Sequence, residues 1–304
     1  MDAKASHPFA GLVDIGSHIY CATCQIWHKA YLSSVNYEDW EAIDDEYLRE
    51  GAEKWRNAES RAERERIEHL YGVRTSEFWR LPSFRPSKQV SVDPMHALKN
   101  IFGNFFFDES LLQRMSQALD ALTWTPVDSP AVLKRVNQTI REVTVPSWIS
   151  KPSEYIGLPR AGTLKADNWR RLFAIFLPLA LLSMWQVCSP TATSDAREMG
   201  SVLDTSLYLT CALIAMTKHK STLQDRQNFR EYLRQHVLGL KHNFPGWILP
   251  SHHVSFHIFD YMDLLGPLHN FWCFPGERLI SRLRNITINN KIGASELQYL
   301  VCLH

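Results

Sequence analysis

Two groups of side chains in this sequence have metal-ligand types and spacing. Cys21 and Cys24 form a C-x₂-C pair, which can place two thiolates on one Zn²⁺ ion. His252, His253 and His257 lie within six residues of one another near the other end of the chain. His253 and His257 are four apart, so on a helix they share a face. His252 and His257 are five apart, a spacing that a distorted turn can also close. A structural zinc site asks for four ligands, and one half from each group would supply them. On spacing alone, two buried thiols and ordinary core or surface histidines fit the same residues. A redox pair is the weaker alternative, because the βαβ pattern that such a pair needs is missing. Twenty residues after His257 comes a single carboxylate, Glu277, directly after Pro275-Gly276 and at the start of a helical pattern.

Composition bounds the setting for these groups. The 304 residues are 45% apolar, enough for a large core and against a disordered chain. The 33 basic and 32 acidic residues leave a formal charge of +1, which demands neither nucleic acid nor a membrane surface. Six cysteines are scattered through the chain and only one pair forms a motif, the usage of a reduced intracellular protein. The first residues hold no apolar run of the signal-peptide kind. The most apolar stretch, Leu172 to Trp185, is shorter than the roughly 20 residues of a membrane span and reads as a buried helix. No membrane partner is expected.

The elements that must position the ligands are helices. Leu48, Ala52 and Trp55 recur at helical spacing. Ser60 with Glu63 reads as a capping box, Ile67, Leu70 and Tyr71 as an apolar side, and Gly72 as a left-handed stop. Residues 77–92 hold prolines without a helical period and read as an extended connection. Asp93-Pro94 is a start signal, since Asp can cap and Pro suits the first helical position. Met95, Leu98, Phe102 and Phe105 follow on one face, and Leu133, Val136, Ile140 and Val143 on another. Further helices are expected over Trp169–Trp185, over Leu203–Met216, around Phe229, Leu233 and Val237, and onward from Glu277 through Leu279, Leu283 and Ile286. Strand signals are few, so the expected fold is mainly α.

Taken together, several stretches resemble the fungal Tnp2-like transposases of the CACTA group. They are Ala10-Gly-Leu followed by Tyr20-Cys-Ala-Thr-Cys24, Glu53-Lys-Trp-Arg-Asn-Ala with Ala62-Glu-Arg, Leu81-Pro-Ser-Phe, and Val92-Asp-Pro-Met-His-Ala-Leu-Lys-Asn100. Further along come Lys165-Ala-Asp-Asn-Trp-Arg-Arg-Leu172, Pro250-Ser-His-His through His257, and Leu265-Gly-Pro-Leu-His269 leading to Phe274-Pro-Gly-Glu-Arg278. The resemblance implies an RNase H-like core of DDE type, interrupted by a large helical insertion. It divides a single transposase-like region, 1–304, into a core remnant at 1–35, an insertion at 36–250, and a closing segment at 251–304.

The resemblance also implies roles. Three acids of the family hold Mg²⁺ or Mn²⁺ for DNA cleavage and strand transfer. Glu277 matches the third acid, and Asp2 stands by spacing where the second is expected. The first acid would lie upstream of residue 1, so the expectation is the later part of a transposase, inactive alone. A more distant similarity, to the V(D)J recombinase catalytic subunit, implies structural zinc on Cys21, Cys24, His257 and one of His252 or His253. Asp93 and His96 match the family's Asp-x-x-His, and are read either as a helix cap with its partner or as residues near the catalytic centre. Implied partners are transposon-end DNA and either the missing upstream half or a second copy of the chain, in the nucleus. Arg278, Arg282, Arg284 and Lys291 could face a phosphate backbone, or only solvent. The alternative function is a domesticated, zinc-stabilised scaffold that binds DNA or protein without cutting.

Overall fold

The computed structural model of the chain describes residues 3–26, 31–97, 100–101, 131–156, 164, 166–185, 194–244 and 246–284. These residues are mainly helical. Among them there is no β-strand, only two isolated bridges, Leu12 to Val73 and Cys24 to Ala42. The expected mainly α architecture is therefore present, without an RNase H-like sheet among the described residues. Asp2, Lys291, and Leu98, Phe102 and Phe105 of the expected helical face, lie outside them.

The N-terminal third packs three helices, α1 (Ala3–Ala10), α2 (Asp45–Asn57) and α3 (Arg61–Tyr71). Asp44 caps α2 by accepting from the Glu46 amide at 2.9 Å. The Ser60 hydroxyl accepts from the Glu63 amide at 3.1 Å, and Gly72 ends α3 at φ +71°. That left-handed turn is set against the Ile19 side chain, so a side chain at 72 would clash as well as strain. Leu48, Ala52, Ile67 and Tyr71 fill a core with Ala10, Leu12 and Ala22, so residues on both sides of position 35 share one interior. Leu70, expected on the apolar side of α3, is instead 49% exposed. Tyr71 takes the inward place one residue later.

The stretch 77–92 is more ordered than its prolines suggest. It contains a 3₁₀ turn, Glu77–Arg80, and a short helix, α4 (Pro86–Gln89). The Arg49 guanidinium staples it to α2 by donating to the carbonyls of Trp79 (3.0 Å) and Phe84 (2.9 Å). A long-range cation thus supplies the hydrogen bonds that the local pattern lacks.

The larger body is built on α5 (Ala131–Glu142), α6 (Ala166–Arg171), α7 (Leu177–Trp185), α8 (Ser194–Met216) and α9 (Leu223–Asn243). A π-helical segment, Leu172–Phe176, joins α6 to α7. It lies just before Pro178, which cannot donate the regular bond to Ala174 and whose ring crowds that carbonyl. The Thr210 hydroxyl reaches in from α8 and donates to Phe173 O at 3.1 Å, satisfying a carbonyl of the widened turn. Phe173, Phe176, Leu177 and Leu181 meet Leu209, Leu213 and Met216 of α8 and Phe229, Leu233 and Leu240 of α9 in the main core. Leu179 and Leu182 stay about half exposed, so the apolar stretch is a core helix with one open face. Among the described residues no helix is long and apolar enough to cross a membrane.

Helices α8 and α9 are the closest pair. Thr222 opens α9 with a reciprocal capping box to Asp225. Asn243 donates to both Ser201 and Thr205 at 3.0 Å, and Gly239 lies against the Thr205 side chain. A Cβ at 239 would come within 2.2 Å of Thr205 Oγ1 and 2.9 Å of its Cβ, which no rotamer relieves. Gly239→Ala is therefore expected to destabilise the protein by roughly 1–3 kcal/mol despite the better helix propensity of alanine. Urea unfolding measures the loss, and Thr205→Ala in the same chain should recover part of it.

Candidate metal centre

After α9 the chain turns through Gly246 into α10 (Pro250–Phe256) and α11 (Ile258–Leu265). His253 lies in the last turn of α10, and His257 sits at the junction between the two helices. One helical turn separates them, as their spacing predicts. The Cys21–Cys24 loop is brought opposite by a short antiparallel pairing with 41–43. The Gln25 amide donates to Glu41 O at 2.9 Å, and the Ile43 amide to Thr23 O at 3.0 Å. The Tyr261 hydroxyl of α11 lies 3.3 Å from Thr23 Oγ1 and 3.0 Å from both Ser87 O and Val90 O, fastening helix, loop and α4 together.

The result is a buried cluster of Cys21, Cys24, His253 and His257 that could hold a metal ion, with ligand atoms all within 4.8 Å of one another. The sulfurs are 3.8 Å apart, and Cys24 Sγ is 3.3 Å from His253 Nε2. Tetrahedral zinc with metal–sulfur bonds of about 2.3 Å needs a sulfur–sulfur edge of about 3.8 Å. The sulfur–sulfur edge of the cluster is therefore already that of such a polyhedron.

The surroundings orient each ligand. His257 Nδ1 pairs with Asp260 Oδ2 at 3.0 Å, and Arg230 in turn donates to Asp260 Oδ1 at 2.7 Å. His257 Nε2 is buried with no hydrogen-bond partner in the protein, so it is the nitrogen left to face an ion. A carboxylate behind an imidazole fixes both its tautomer and its direction. The His253 ring is stacked on Trp40 at 4.4 Å and met edge-on by Tyr20 at 5.2 Å. The Thr23 amide donates to Cys21 Sγ at 3.4 Å. Burial opposes the Cys21 thiolate, yet Cys24 and the nearby charges of His257 and His253 lower its pKa, while Cys24 is pushed up. Burial likewise opposes charge on His257, but Cys21 and Asp260 outweigh it and raise its pKa to about 9. Cys21 and His257 thus each favour the charged form of the other. A divalent cation would take over that compensation.

His252 is not part of the cluster. Its ring stacks on His236 of α9 at 5.7 Å, and its Nδ1 accepts from the Leu249 amide at 3.0 Å. Adjacent residues of a helix point about 100° apart, so only one of His252 and His253 can face the cysteines. The structure selects His253. Burial depresses both members of the other pair, His236 to about 4 and His252 to about 3.

Asp93 caps the helix that starts at Pro94, accepting from the amides of Met95 (3.4 Å) and His96 (3.3 Å). Its carboxylate also pairs with the His96 ring and accepts from the Cys273 amide at 2.9 Å. Burial opposes its charge, but these partners lower its pKa overall. The Cys273 amide precedes α12 (Phe274–Arg284), which carries Glu277 in its first turn. The Asp-x-x-His and Phe-Pro-Gly-Glu-Arg stretches are therefore directly hydrogen-bonded across 180 residues. Glu277 itself is exposed, and among the described residues it belongs to no cluster of metal-ligand type. Arg278 and Arg282 are exposed one turn apart on α12. Trp40 and Tyr20 were not readable as site residues, since each acts through a ring brought from far along the chain, whereas Asp260 stands only three residues after His257 and that spacing is the signal that could have found it.

Compared with known proteins, the chain matches no family model and no curated protein.

Two outcomes follow from this geometry. Asp260→Asn should weaken metal affinity by about 10–100-fold, measured by chelator competition, with the fold retained. Depressed folded-state values for His236 and His252 mean that the unfolded chain binds protons first as pH falls below about 6.5, so stability declines from there downward. Between pH 6 and pH 5 this pair should account for roughly 2 kcal/mol of lost stability, and His252→Phe should remove about half of that slope in urea titrations.

Proposed function

We propose that this chain is part of the catalytic region of a Tnp2-like DDE transposase, closed by a structural zinc ion on Cys21, Cys24, His253 and His257. The observation that carries this reading is the meeting of a C-x₂-C loop with a histidine pair from far along the sequence, 229 residues from Cys24 to His253, with the sulfur–sulfur edge that a tetrahedral ion requires. The resemblance had left the fourth ligand open between two histidines, and the cluster completes it with His253. Thiolate and imidazole donors together suit zinc rather than the oxygen-seeking Mg²⁺. The RNase H-like core belongs to this proposal, as do the nuclear location and transposon-end DNA as partner.

In this reading Glu277 is one of the acids of the catalytic centre. Ions of the Mg²⁺ or Mn²⁺ type bound there would activate the attacking oxygen and stabilise the leaving one. The chain's own contribution is positional. Glu277 opens a helix whose preceding residue is held by Asp93, and its exposure leaves the carboxylate open to an ion and to companion acids. Asp2 is the companion that the resemblance proposes. Arg278 and Arg282 follow on the same helix, where they would meet the phosphate backbone.

The second reading is a zinc-stabilised scaffold that binds DNA or protein without cutting. The separation of Glu277 from any other acid of a metal-ligand cluster, among the described residues, favours it. Plasmid nicking by the native full-length protein with Mn²⁺ separates the two. Catalysis predicts nicking that Glu277→Gln abolishes while zinc content stays unchanged. Duplex binding without nicking, weakened and made less salt-dependent by Arg278→Ala with Arg282→Ala, establishes the scaffold. Absence of both nicking and binding overturns the two DNA readings together.

A further inference from the structure

Asp93, His96 and Cys273 form a second group of metal-ligand type, with one ligand atom from each lying within 4.8 Å of the others. The group offers one oxygen, one nitrogen and one sulfur. Two of its members share the first turn of one helix, and the third arrives from 180 residues away, immediately before α12. The Asp93 side chain is 1% exposed and that of His96 17%, so these two donors are largely withdrawn from solvent, and Cys273 is partly buried. Capping the helix requires Asp93 alone; neither the His96 ring nor the Cys273 thiol is needed for it.

We propose that Asp93, His96 and Cys273 bind a second transition-metal ion, of the Zn²⁺ class, with one coordination position left for water or another exchangeable ligand. Three protein ligands with an open position is the arrangement of an exchangeable or catalytic zinc rather than of a closed structural one. The neighbouring space fits that view. A cavity of about 40 Å³ lies against the Asp93 and His96 side of the group, with Cys21, Ser251 and Val254 among its other lining residues and Cys273 not among them. It is large enough for about one water molecule.

Charge favours the same ion. A carboxylate, a thiolate and a neutral imidazole cancel a divalent cation, so the loaded site would bury no net charge. Loading would release the thiol proton of Cys273 to solvent, while the His96 imidazole would bind as the neutral ring and give up its present pairing with Asp93. The carboxylate is already held in place by the Cys273 amide, so the rearrangement falls on the His96 ring. The sulfur donor separates this site from the all-oxygen sites that Mg²⁺ takes. The proposal does not rest on the transposase reading and stands or falls apart from it.

The test uses the full chain, stripped of metal and titrated with Co²⁺ and with Zn²⁺. Wild-type protein should take one ion more than Cys273→Ser or His96→Gln, each of which should keep the helical circular dichroism of the parent. Zn²⁺ should also protect Cys273 from alkylation in the wild type but not in the His96→Gln protein, with exposed Cys211 reacting throughout as the internal control. A wild type that takes no more ions than Cys273→Ser or His96→Gln would overturn the site. So would protection of Cys273 that survives His96→Gln, because shielding would then come from the fold rather than from an ion.

Discussion

Four buried side chains of metal-ligand type, two of whose ring nitrogens find no hydrogen-bond partner in the protein, set the terms for the rest of this structure. Two thiols and two imidazoles, drawn from opposite ends of the chain, lie within one coordination radius of each other. Burying them costs free energy unless a proton is moved or a cation is taken up. The local architecture is arranged around that requirement: a loop pinned to 41–43, a histidine braced through Asp260 by Arg230, and another held between Trp40 and Tyr20. None of these supports is needed by the helical body as such. They make sense as the frame of an ion.

The helical body supplies what the frame cannot, a rigid distance between the two ends. The pairing of α8 with α9 is close because Gly239 removes a side chain where Thr205 presses in. The π-helical segment before Pro178 is accommodated because Thr210 satisfies a carbonyl that the widened turn exposes. From α9, a short turn places α10 and its histidines. Arg230 of α9 reaches both Phe256 O and Asp260, so the orientation of His257 is referenced to the core. Packing energy stored in apolar contacts thereby becomes angular precision at a nitrogen atom.

Much of this was legible in the sequence, and the parts that were not share a cause. Helix starts at Ser60 and Asp93 depend on a side chain and an amide two or three residues away, so local spacing reveals them. The C-x₂-C pair and the His253–His257 step were equally local, which is why the ligand types were visible before the geometry. The choice between His252 and His253 was not, because it turns on His236 of another helix and on the side of α10 that faces the cysteines. Leu70 misled for a similar reason, since it sits at the edge of an apolar stripe whose true centre is decided by the partner surface. The order within 77–92 was hidden because Arg49, from α2, provides its hydrogen bonds. Asp93 looked like a cap and is one, but its bond to Cys273 links two segments that no local pattern connects.

The distance along the chain between the two halves of the cluster also has a consequence for synthesis. His253 follows Cys24 by 229 residues, so on a ribosome the cysteine loop emerges on the order of 10–50 s before its partners exist. During that interval the pair is a dithiol without histidines, open to oxidation or to a passing metal held by two sulfurs alone. The helices between them can form meanwhile from contacts near in sequence. The cluster is then closed last: a polypeptide halted before His257 would carry nearly all of the described helices between its two halves and still lack the means to join them.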